Sequence, residues 1–129
     1  MNTQDFHRAL KEVRNGADYF MRHPLTPRSL ISSGLREVAD TGCWWLVDLL
    51  CTGYAHQLKL DDKAGRISGT PIVEVKTRGG VTRVALSYGD DEPPTHKNKI
   101  DPSCLPDGGF SILGGVEDGQ AMFYLLSEY

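Results

Sequence analysis

Long apolar runs are missing from this chain of 129 residues. Asp48 interrupts the longest one, and no stretch approaches the ~18 apolar residues that a membrane span requires. No membrane association is therefore expected. Cysteine is scarce and odd in number, with three in all. On a helix Cys43 and Cys51 would be separated by ~12 Å along the axis, too far to pair. The expectation is three reduced thiols in a cytoplasmic protein. His7, His23, His56 and His96 are scattered. With no H-x-x-x-H or C-x-x-C spacing, neither a metal nor a cofactor is expected. The glycine pairs at 79–80, 108–109 and 114–115 fit turns and lack phosphate-loop spacing. A basic region followed by an apolar stretch is also missing from the N-terminus, so no secretory signal is expected.

What remains is the composition of a soluble globule, 40% apolar and 24% charged, in a length suited to one domain over residues 1–129. Charge is unevenly divided. Residues 89–129 hold two Lys/Arg against eight Asp/Glu, whereas residues 1–88 carry a small positive excess. An acidic last third argues against nucleic-acid binding through that third.

The stretch that organises the rest is Cys43-Trp44-Trp45-Leu46-Val47-Asp48-Leu49-Leu50-Cys51, which holds both tryptophans. As a helix it is apolar nearly all round, which predicts a helix buried on most sides and ended by Thr52-Gly53. Upstream, Phe6, Ala9, Leu10 and Val13 form the stripe of a first helix from Thr3 to Asn15-Gly16. Ser32 or Ser33 caps a second helix with Leu35, Val38 and Ala39 facing inward, approached by an extended Leu30-Ile31. Downstream the period changes to alternation. His56 to Leu60 reads as a strand. Ile72–Arg78 and Val81–Tyr88 flank Gly79-Gly80 as a primed-turn hairpin. That register sets Val75 opposite Val84, Val73 opposite Leu86 and Lys76 opposite Arg83, and a slip of one would put valines opposite charges. Residues 89–109 read as a long proline-containing loop. Phe110–Leu113 and Ala121–Leu126 close the chain as two strands around a turn at 114–119. The fold class is α+β: two to three N-terminal helices packed on one face of a four- to five-stranded antiparallel sheet.

Chemistry-bearing residues are few. Asp48, alone inside the apolar run, is either a pKa-shifted acid or base, or an acceptor for a tryptophan N–H, a backbone amide or a nearby cation. The second role is the ordinary one. Cys104 has no base at a recognisable spacing, and no catalytic set is assigned. Lys76, Arg78 and Arg83 gather on the outer hairpin face as a weak candidate for an anion or RNA. Asp90, Asp91 and Glu92, with Glu117 and Asp118, stand on two loops next to neighbouring strands. They are the candidate docking surface for a basic partner.

Tyr19 with Arg22-His23-Pro24-Leu25, Leu30 to Gly34, Val38-Ala39-Asp40-Thr41-Gly42-Cys43-Trp44-Trp45-Leu46-Val47-Asp48 and the terminal Leu125 to Tyr129 together resemble a family of small proteins. That family is a domain of unknown function encoded by phages, prophages and plasmids. Where it tends to read Tyr-Thr-Asp-Gly, this chain has Ile31-Ser32-Ser33-Gly34. The resemblance implies origin on a mobile element and a place in the cytoplasm of a bacterial host. The reading it favours is a binding protein that occupies a surface of a bacterial host protein, an inhibitor of a defence such as a CRISPR effector being one instance. The alternatives are a small enzyme using Asp48 or Cys104, and an RNA-binding module using the basic hairpin face.

Overall fold

The computed structural model describes residues 4, 20–22, 29–89, 93–117 and 119–128. Except for Gln4, which is helical, the predicted first helix lies outside the described residues, as do Asp90, Asp91, Glu92 and Asp118. The chain enters through two strands, β1 (Phe20–Arg22) and β2 (Ser29–Ser32). Ser32 stops β2 and starts α1 (Ser33–Asp40), its Oγ accepting from the Leu35 N–H at 3.1 Å. This is the serine cap read from the sequence, and Leu35, Val38 and Ala39 are buried. Gly42, at φ 123°, turns the chain after α1.

The organising segment is a helix, α2 (Trp44–Leu49), buried or packed against the core on every side but that of Asp48, as expected, but it does not end at Thr52-Gly53. Leu46, Val47 and Leu50 are sealed, Trp44 and Trp45 are half-buried, and Asp48 is exposed. A π-helical turn over Leu50–Tyr54 carries the chain straight into α3 (Ala55–Lys63). Thr52 Oγ1 bonds back to the Asp48 carbonyl at 2.6 Å, so a residue read as a breaker ties its own side chain into the helix. The extra residue of a π turn re-aims the face that follows, and Tyr54 comes to lie buried with its hydroxyl 2.7 Å from Asn98 Oδ1.

The predicted strand at His56–Leu60 is therefore part of α3. Its alternation misled because only Leu58 is sealed, while Leu60 is 48% exposed. The operative period is helical: Cys51, Tyr54, Ala55, Leu58 and Asp61 all face the sheet.

The sheet is larger than expected and mixed. β3 (Ile72–Arg78), β4 (Val81–Ser87), β5 (His96–Ile100), β6 (Gly108–Glu117) and β7 (Gln120–Leu125) join β1 and β2 in the order β1-β2-β7-β6-β3-β4-β5. β2 pairs with β7 in parallel and the other neighbours are antiparallel. The hairpin has the expected register, with Val73 opposite Leu86, Val75 opposite Val84 and Lys76 opposite Arg83. Gly79 and Gly80 take φ 59° and 77°, as a primed turn needs.

Two expectations downstream give way. The long loop contains an edge strand, β5. The predicted turn at 114–119 is mostly β6, whose last residue Glu117 pairs with Gln120 of β7. Gly114 is inside the strand because α3 approaches there; a Cβ on it would stand 3.3 Å from Leu58 Cδ1 and 3.5 Å from the Phe123 ring. One continuous core joins the helices to Ile31, Val73, Val75, Val84, Leu86, Ile112, Phe123 and Leu125 on the inner sheet face.

Candidate functional site

At the end of the sheet where β4 finishes and β5 begins, one carboxylate collects its surroundings. Asp61, on the last turn of α3, is only 4% exposed. Its Oδ2 accepts a hydrogen bond from the Tyr88 hydroxyl. Its Oδ1 accepts from Gln57 Nε2 at 3.1 Å and Arg66 Nη1 at 3.3 Å. His96 Nε2 stands 3.6 Å from Oδ2. The backbone adds a bond from the Arg66 N–H to the Asp61 carbonyl at 2.8 Å.

Burial alone would raise the Asp61 carboxyl, but hydrogen bonds from Tyr88, Gln57, His96 and Arg66 outweigh it and hold the group below its ordinary value. Tyr88 moves the opposite way: burial, the hydrogen bond to Asp61 and that carboxylate's charge all push its hydroxyl up. A carboxyl held ionised cannot serve as an acid near neutrality, and a phenol held protonated cannot serve as a base. The Tyr88–Asp61 bond ties the last turn of α3 to the residue that follows β4.

Tyr88 and His96 stand on either side, in sequence, of the segment that contains Asp90, Asp91 and Glu92. Further contacts hold the same flanks. The Thr95 N–H donates to the Leu86 carbonyl at 2.8 Å, and Ser68 Oγ to the Tyr88 carbonyl at 3.4 Å. Gly69 passes so close that a Cβ there would lie 2.8 Å from the Tyr88 carbonyl oxygen. β6 runs on past Ile72, its last partner on β3, to an exposed Glu117. Ile72 also pairs with Ser87. The described flanks of both acidic segments singled out from the sequence thus lie at the same end of the sheet.

No family model, curated protein or solved structure matches this chain. Function must come from the sites themselves.

Asp48 belongs on the solvent side of α2, so the argument for a carboxylate stranded in the core passes to Asp61. The tryptophan N–H bond goes elsewhere too: Trp44 Nε1 donates to Asp40 Oδ1 at 2.8 Å. Cys104 is exposed and lines an open pocket of about 420 Å³ with Trp45, Ile100, Pro102 and Ser103. Among the described residues that lining holds no histidine. Cys43 and Cys51 are buried, and burial pushes their thiols from 9.0 up to about 11 and about 12, which leaves them inert.

Lys76, Arg78 and Arg83 share the exposed outer face of the hairpin. The sequence reading missed two companions, Lys97 and Lys99, which it had assigned to a loop. On β5 they pair with Ala85 and Arg83. The alternation of lysine with Asn98 and Ile100 was the available signal, since Asn98 and Ile100 are paired with the buried Val84 and Thr82 and both lysines with outer-face residues.

Proposed function

We propose that this chain is a phage or other mobile-element binding protein that acts by occupying a surface of a bacterial host protein. The acidic end of its sheet makes the contact. An inhibitor of a host defence, such as a CRISPR effector, is the first instance to test. One observation carries the reading: buried Asp61 grips Tyr88 and His96, which flank the segment bearing Asp90, Asp91 and Glu92. Holding both flanks of a segment on a rigid scaffold lowers the cost of ordering it on binding. The exposed Glu117 at the same end of the sheet adds charge of the same sign, which steers a basic partner and sets specificity.

The test is capture from a bacterial host lysate by the tagged chain, with bound proteins identified by mass spectrometry. It runs beside a plasmid-interference assay against a CRISPR effector. Reversal of Asp90, Asp91 and Glu92 to lysine abolishes capture and leaves the melting temperature unchanged. Capture that survives the reversal eliminates this surface.

A further inference from the structure

A second surface, the outer face of the β3–β4–β5 ladder, gathers cations from three strands. We infer that the outer face of β3, β4 and β5 binds the phosphate backbone of double-stranded DNA without regard to sequence. Its centre is a transverse row. Lys76 on β3 is directly opposite Arg83 on β4, and Arg83 is directly opposite Lys99 on β5. At the ~4.8 Å spacing of neighbouring strands the row spans about 10 Å. Lys97 stands two residues from Lys99, and Arg78 two from Lys76, so five cations share one exposed face.

Like charges directly opposite on a ladder destabilise a sheet, and this row contains two such pairs in succession. Glu74 relieves one end, with Oε2 3.8 Å from Lys76 Nζ. Among the described residues no ion pair reaches Arg83, Lys97 or Lys99. Lysines on an edge strand do guard against sheet-to-sheet pairing. That role explains Lys97 and Lys99 but not Lys76 and Arg83, which sit on interior strands. An external polyanion satisfies the whole row.

The surrounding surface narrows the ligand. Arg83, Ala85, Lys97 and Lys99 line an open depression of about 430 Å³ whose middle is kept low by the small Ala85. Beside Lys76 the row continues into Gly109, so nothing but backbone flanks the lysine there. Ile72, Glu74, Val81, Ala85, Ser87 and Gly109 are interspersed among the cations of β3, β4 and β5 on this face; Glu74 is the one carboxylate among them, held by Lys76, and none offers a ring for a base to stack on. Single-strand platforms rely on such rings. A duplex instead offers one phosphate charge per ~1.7 Å of axis, and contacts limited to phosphate carry no sequence information.

The experiment is fluorescence anisotropy of the full chain with a short labelled DNA duplex, titrated at about 50 mM salt and upward. Binding is expected at low salt, with log affinity falling against log salt at a slope of about −3 to −4 if four phosphates are engaged. Arg83→Gln lowers that slope by about 1. The double reversal Arg83→Glu with Lys99→Glu weakens binding at least tenfold without lowering the melting temperature. A control of equal net charge, Arg36→Glu with Lys63→Glu on the helical layer, retains binding. The inference is overturned by failure of the wild-type chain to bind the duplex at low salt, or by an equal loss in the helical control. It is also overturned if the single strand or polyglutamate binds as tightly as the duplex; polyglutamate doing so would assign the face to an acidic protein segment.

Discussion

Asp61 shows how much one buried charge can organise when its lone pairs are filled. Replacing it with Ala removes the acceptor shared by Tyr88, Gln57 and Arg66, and a loss of about 3 kcal/mol in urea unfolding is expected. Tyr88→Phe takes away one donor to a charged group and costs about 1.5–3 kcal/mol. The lowered Asp61 carboxyl also has a pH consequence. Its contribution is fully present above the unfolded value of about 3.9 and is lost as pH falls through the folded value. Wild-type stability should drop below about pH 4 more steeply than that of Asp61→Asn, as followed by circular dichroism. Arg83 makes the converse case. Set between Lys76 and Lys99, it should give a protein more stable by about 0.5 kcal/mol when changed to Thr. Legibility differed sharply between these two residues. Lys76 opposite Arg83 follows from the hairpin register alone, whereas Asp61 is on the core stripe of a helix that alternating leucines disguised as a strand.

At the scale of elements, local chemistry was enough wherever the signal was short in range. The Ser32 cap and the Gly79-Gly80 turn need only neighbouring atoms, so α1 and the β3–β4 hairpin emerge as read. The α2–α3 junction does not work that way. Thr52-Gly53 has a breaker's composition, yet burial of Cys51, Tyr54 and Leu58 on one side and the Tyr54–Asn98 bond hold the helix through it. Gly114 and Gly115 likewise read as turn residues, but Gly114 is where α3 meets the sheet. A close backbone approach lies at Gly69, where an added Cβ would press on the Tyr88 carbonyl oxygen at 2.8 Å. Gly69→Ala must displace backbone, and a destabilisation of about 1–3 kcal/mol is expected by urea titration.

For the whole molecule, two layers share one core, and its buried titratable groups set the alkaline limit. Burial raises Cys43 to about 11, Cys51 to about 12 and Tyr54 to about 12 from ordinary values of 9.0, 9.0 and 10.0. Groups raised on folding contribute stability that is intact below their unfolded values and lost as pH rises through the folded ones. The melting temperature should therefore hold to about pH 8.5 and fall progressively above it. Replacing both cysteines with Ala should flatten the first part of that decline. Charge is segregated at the same scale, with an acidic last third in the sequence and a cationic row on the outer face of the sheet. A net charge of −3 conceals that division.

By itself the sequence determined what depends on neighbours along the chain: an α+β class, one capped helix, one hairpin in register, and the sign of charge on each segment. Tertiary structure alone decided which charges meet. It buried Asp61 instead of Asp48 because the helical stripe of α3 faces the sheet. It turned part of a presumed loop into β5, and so completed a row of cations whose members are far apart in sequence. Side-chain periodicity is written locally, but the partner that selects one period over another lies across the core.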